Sequence, residues 1–96
     1  MSNRSDWSQI KRNRPQNEAR RRGYEEASQA VALGERIRHL REEAELTQAQ
    51  LAARMGTTQP TVARLEAGGV TPSLSTLSRV ASALSAELVV ELRPTR

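Results

Sequence analysis

The stretch Leu46–Glu66, LTQAQLAARMGTTQPTVARLE, decides how the rest of the chain is read. Thr47 followed three residues later by Gln50 is a capping box, so a helix starts there. Gln48, Leu51, Ala52 and Met55 then fall on one face, the inward stripe of a short amphipathic helix. Gly56 is a natural left-handed stop, and Gly56-Thr57 make a tight turn. A second helix is predicted from about Thr58 to Ala67, with Val62 and Leu65 facing in. Pro60 sits in its first turn, where a missing N–H does little harm. Two short helices joined this way form a scaffold that lays the second into the major groove of DNA. Gln59, Thr61 and Arg64 on that second helix are of types that read base edges and grip phosphates. The window points to a sequence-specific binder of double-stranded DNA rather than an enzyme.

Working outward, Leu33, Ile37, Leu40 and Ala44 share one face and predict a helix near 33–44. Upstream, residues 18–31 are helix-friendly. Gly23 costs about 1 kcal/mol of helix stability, and Gly34 is expected to interrupt. Residues 1–17 are polar, rich in Arg and Asn, and expected to form a disordered or loosely extended arm. Downstream, Gly68-Gly69 end the second helix of the window. Thr71-Pro72-Ser73 launch another over 73–84, with Leu74, Leu77, Val80, Ala81 and Leu84 as its stripe. The period then changes. Ala86–Leu92, AELVVEL, alternates as a β-strand does, and Pro94 stops it. The expected architecture is all-α with an appended C-terminal strand. It divides into an arm and arm helix (1–32), a DNA-binding domain (33–85) and a terminal strand and tail (86–96).

A chain of 96 residues suits one small domain plus a tail. Phe is absent, and the only aromatics are Trp7 and Tyr24, so the core must be almost purely aliphatic. With no cysteine there is neither a disulfide framework nor a thiol nucleophile. No apolar run approaches the ~20 residues of a membrane span, and the basic N-terminus lacks the apolar stretch of a signal peptide. A cytoplasmic location is expected by elimination. Net charge is +4 but uneven: residues 1–22 carry +5, whereas residues 23–96 hold eight Arg against nine Glu, or −1. The folded part must therefore bind DNA through local arginines and helix N-termini, or borrow charge from its arm. His39 stands alone beside an apolar stripe, and Glu42, Glu43 and Glu45 read as a charged helix face. Nothing resembles a nucleophile–base constellation, a metal-ligand cluster or a phosphate-cradling loop, so no cofactor, metal or small-molecule substrate is implied.

Over about residues 33–84 the chain resembles the Xre/Cro family of helix-turn-helix proteins. The resemblance rests on Gly34-Glu35-Arg36-Ile37-Arg38, Leu46-Thr47-Gln48, Leu51-Ala52, Gly56, Gln59-Pro60-Thr61-Val62, Leu65-Glu66, Gly68 and the Pro72 to Leu77 opening of the last helix. It implies a lambda-repressor-like bundle. It also implies that Gln59, Thr61 and Arg64 touch bases or neighbouring phosphates, with Thr58 and Pro60 beside them. Pro60 departs from the polar residue usual at its position, leaving it a thymine-methyl contact or rigidity alone. Thr47 and Gln48 would meet a phosphate, though an N-cap role suffices for Thr47. Arg41 and Glu66 would pair across helices. A looser resemblance of the whole layout, with its Trp, its Tyr-Glu-Glu and its Glu-Leu-Val-Val-Glu-Leu tail, is to HigA-type antitoxins. These partner RelE/HigB-like ribonuclease toxins and repress their own operon.

Trp7, Ile10 and Tyr24 have no obvious place in the aliphatic core, which makes them candidate anchors for a partner protein, with Glu25 beside them. The plain alternative is that Tyr24 packs back onto the 33–44 helix and Trp7 is merely disordered. An acidic Tyr24-Glu25-Glu26 segment complements a ribonuclease's basic surface; Arg20-Arg21-Arg22 would instead add to DNA binding. A lone strand is not stable, so Leu88, Val90 and Leu92 are expected to pair across a homodimer axis, to fold on their own domain, or to join a toxin sheet. Pairing would space the reading helices one DNA turn apart, about 34–36 Å, or a multiple. Three functions remain open: an autorepressing antitoxin, a stand-alone repressor of Xre type, and a protein-inhibitor module with weak DNA affinity.

Overall fold

Thr47 caps its helix as the sequence indicates. Gln50 N–H donates to the Thr47 hydroxyl at 3.0 Å, and Thr47 N–H donates to Gln50 Oε1 at 2.8 Å. The computed structural model describes the backbone of residues 2–95 and the side chains of residues 17–95. Its elements are α1 (Ser2–Glu43), α2 (Gln48–Met55), α3 (Gln59–Ala67) and α4 (Leu74–Ala83). The fold is an all-helical helix-turn-helix bundle. Gly56 closes α2 at φ 73° and Gly68 closes α3 at φ 76°, both left-handed conformations that glycine adopts without a Cβ penalty. Ser73 caps α4, its hydroxyl accepting from Thr76 N–H at 3.1 Å.

The expected break at Gly34 does not occur. α1 runs unbroken through both Gly23 and Gly34. Most residues on either side (Ala, Glu, Arg, Gln, Leu) are strong helix formers, and a single glycine costs too little to stop them. Gly34 serves packing instead. A Cβ there would stand 2.6 Å from the Glu66 carbonyl oxygen, so α1 crosses the last turn of α3 at a distance only glycine permits. Ala30, Gly34 and Ile37 form the buried stripe of α1, while residues 17–29 are exposed throughout. The loose arm expected over residues 1–17 is corrected: α1 begins at Ser2, so the backbone of residues 2–17 is helical, its Arg, Lys and Gln extending a helix already nucleated downstream. The side chains of Trp7 and Ile10 lie outside the described residues.

The core joins Ile37, Leu51, Ala52, Met55, Val62, Leu65 and Val80, with Leu33, Ala83 and Leu84 packed against it. Leu51 and Val62 are fully shielded from water. α1 packs on α3, and α2 packs on both α3 and α4, so α3 is held from two sides. Leu74 departs from its expected stripe. It is 61% exposed, because the first turn of α4 overhangs the core.

The C-terminal β-strand is also corrected. Residues 86–95 have no regular secondary structure, and no strand occurs among the described residues. Period-two alternation makes a strand only where another strand completes the ladder, and the described residues of this chain offer none. Ala86–Val89 instead run beside an apolar groove of about 440 Å³ that Leu33, Leu40, Leu77 and Leu84 also line. Val89, Val90 and Leu92 remain exposed.

Candidate nucleic-acid interface

α3 turns one edge to the core and the other to water. Val62, Leu65 and Glu66 are buried; Gln59, Pro60 and Arg64 are exposed, and Thr61 is half-buried. Thr58 precedes the helix in an extended conformation (φ −105°, ψ 155°) but does not cap it with its side chain. Its hydroxyl meets that of Thr61 at 2.9 Å. Pro60 has no N–H, so the first turn loses nothing by its presence. The outer edge thus presents an amide, a proline ring and a guanidinium on a short rigid helix. That set suits hydrogen-bonding base edges and phosphate oxygens.

Beneath this edge lies a continuous polar chain. Arg41 Nε donates to Glu66 Oε2 at 2.6 Å, and Arg41 NH2 donates to Glu66 Oε1 at 3.0 Å. This is the bidentate pair expected between α1 and α3, with side chains only 13% and 4% exposed. Arg41 NH1 also donates to the Leu46 carbonyl at 2.8 Å, tying down the α1–α2 connection. The hydrogen bonds to Glu66 raise the Arg41 pKa above its ordinary value, against the lowering by burial. Gln48 Nε2 donates to Glu66 Oε1 at 3.1 Å, and Gln59 Nε2 donates to Gln48 Oε1 at 2.8 Å. The buried ion pair is therefore wired, through two amides, to the first residue of α3.

The start of α2 lies beside the start of α3, because Gln48 and Gln59 touch. The first N–H groups of any helix have no intrahelical carbonyl. In α2 the capping box satisfies those of Thr47 and Gln50, leaving Gln48 and Ala49 to donate outward. A phosphate contact at Gln48 therefore falls to its backbone N–H, since its side-chain amide is engaged on both sides.

Residues 37–89 match the helix-turn-helix family HTH_3. The chain belongs to that family. Its helix-turn-helix domain is of the Xre type, that of a DNA-binding regulator. Antitoxin HigA1 of Mycobacterium tuberculosis, in two strains, is 44% identical over 64 residues, or 67% of this chain and 43% of that protein. This helix-turn-helix chain thus spans under half the length of those antitoxins. An uncharacterized HTH-type transcriptional regulator of Methanothermobacter thermautotrophicus is 43% identical over 56 residues, 58% of this chain and 81% of that one. The restriction-modification controller protein C.AhdI from Aeromonas hydrophila superposes with a TM-score of 0.62 at 33% identity. That superposition covers 64% of this chain and 88% of the controller protein.

The helix-turn-helix brings Gln48, Thr58, Gln59, Pro60 and Thr61 together, with Thr47 capping α2 beside Gln48 and Arg64 one turn further along α3. Tyr24, 76% exposed, and Glu25 lie far upstream on α1; their expected companions Trp7 and Ile10 have side chains outside the described residues. Leu88, Val90 and Leu92 sit on the irregular tail. Sequence reading paired Glu66 with Arg41 but missed that Glu66 also holds Gln48, and that Gln48 holds Gln59. The signal was present in the placing of Gln48 on the inward stripe of α2. Among the described residues no group of three or more His, Cys, Asp or Glu is placed to hold a metal, and no helix is long and apolar enough to cross a membrane.

Proposed function

We propose that this protein is an antitoxin that represses its own operon. It reads operator DNA with Gln59, Thr61 and Arg64 of α3, while Thr47, Gln48, Thr58 and Pro60 sit against the adjoining backbone and bases. Two copies bind a two-fold operator. The exposed stretch 17–29 of α1, with Tyr24 and Glu25, together with Trp7 and Ile10 upstream, covers a ribonuclease toxin of the RelE/HigB kind. The observation that carries the antitoxin reading is the 44% identity to antitoxin HigA1. Residues 17–29 support it, being wholly exposed and adding nothing to the core. Leu88, Val90 and Leu92 supply apolar side chains for contact between the copies.

A second reading is a stand-alone regulator without a toxin, favoured by the Methanothermobacter relative, 81% of which this chain spans. The two differ in what removal of residues 2–27 does. For an antitoxin, the shortened chain still binds operator DNA but no longer rescues cells expressing the small basic protein encoded beside it. Full rescue by the shortened chain overturns the arm's role, and a neighbouring protein that is harmless to cells favours the stand-alone regulator.

A further inference from the structure

We infer that Glu66, buried beneath the exposed edge of α3, determines which purine Gln59 prefers. The inference rests on the proposed base-reading role of Gln59. A carboxylate only accepts hydrogen bonds, and a guanidinium only donates. Arg41 occupies one acceptor site on each oxygen of Glu66, and the remaining capacity of Oε1 takes Gln48 Nε2. Gln48 therefore has its nitrogen inward and its oxygen outward. That oxygen accepts from Gln59 Nε2, so Gln59 commits one N–H to the protein. What Gln59 has left for the groove is its carbonyl oxygen and one N–H.

One acceptor beside one donor complements adenine, which offers the N6 donor and the N7 acceptor; it does not complement guanine, which offers two acceptors, O6 and N7. An amide can turn end for end without changing shape. Were Gln48 reversed, its nitrogen would donate to the Gln59 oxygen, and Gln59 would present two N–H groups, the pattern that suits guanine. Nothing in the two glutamines alone distinguishes these arrangements. The acceptor-only carboxylate at the buried end distinguishes them. Arg41, by holding Glu66 in place, is a positioning residue for the same choice.

The test selects bound duplexes from a randomised library with the full-length protein, then compares paired duplexes differing only at the base under Gln59. Wild type is expected to favour adenine over guanine there by about tenfold or more, the range of a bidentate contact. Gln59→Ala removes the preference at that position; a library profile unchanged by this variant, or no preference in wild type, overturns both the reading role of Gln59 and the present inference. Gln48→Met leaves the Arg41–Glu66 pair intact and keeps a good helix former, so the fold survives. Its adenine-to-guanine ratio, read on paired duplexes within the one variant, is expected to fall to about twofold or less. Glu66→Gln replaces the acceptor-only group with one that can turn either end toward Gln48, so it is expected to lower the adenine-to-guanine ratio; an unchanged ratio overturns the inference. A Gln48→Met protein that retains the full adenine ratio, while Gln59→Ala loses it, overturns the inference and leaves the proposed function standing.

Discussion

Replacing Gly34 with alanine sets two effects against each other. Within a helix the change ordinarily stabilises by about 1 kcal/mol. Here the new methyl would collide with the Leu65 carbonyl oxygen and would lie 2.6 Å from the Glu66 carbonyl oxygen and 2.9 Å from its carbon, where ordinary contact begins at 3.4 Å. All of these neighbours are backbone, so no side chain can swing aside, and α1 and α3 must part by about 1 Å. Overpacking costs about 1–3 kcal/mol, and a clash with a rigid helix end belongs at the upper limit. Net of the helical gain, Gly34→Ala should destabilise by about 2 kcal/mol, lowering the melting temperature by roughly 8–16 °C for a domain of this size. Far-UV circular dichroism on heating measures it. Gly23→Ala is the internal control. It meets nothing within 4 Å and should only firm the exposed part of α1, seen as slower amide exchange there. A Gly34→Ala protein as stable as wild type would refute the close-crossing argument.

Three further outcomes are expected. Arg41→Met strands the Glu66 carboxylate in a largely buried site and should cost about 3–5 kcal/mol in denaturant titration, most of it recovered by adding Glu66→Leu. Thr47→Ala removes one arm of the capping box and should cost about 1 kcal/mol, with a modest loss of DNA affinity because α2 begins less firmly. Truncation after Ser85 removes Leu88, Val90 and Leu92 and should weaken self-association in sedimentation without melting the bundle; an unchanged association constant would take the tail out of the dimer contact.

The parts of this fold that local chemistry decides were readable in the chain. The Thr47–Gln50 box, the stops at Gly56 and Gly68 and the inward Val62 and Leu65 all follow from residues within one turn of each other, and all are present. The readings that failed needed distant partners. Gly34 looks like a breaker until α3 is laid across it, because its use is tertiary. Ala86–Leu92 has strand periodicity but no second strand, so its pattern has nothing to register against. Leu74 keeps the spacing of its stripe yet lies past the end of the core. At the candidate site the residue types were legible, and Arg41 with Glu66 was legible as a pair. That Gln48 links this pair to Gln59 required knowing that the starts of α2 and α3 meet.

The core of the described residues carries no aromatic ring, and this has an optical consequence. Ile37, Leu51, Met55, Val62, Leu65 and Val80 neither absorb nor fluoresce in the near ultraviolet, so melting of the bundle is dark at those wavelengths. The chromophores of this chain, Trp7 and Tyr24, both precede the core in sequence. Emission from the native protein is therefore a built-in reporter of what approaches the upstream segment. A protein partner docking over exposed Tyr24 should change its signal without a label.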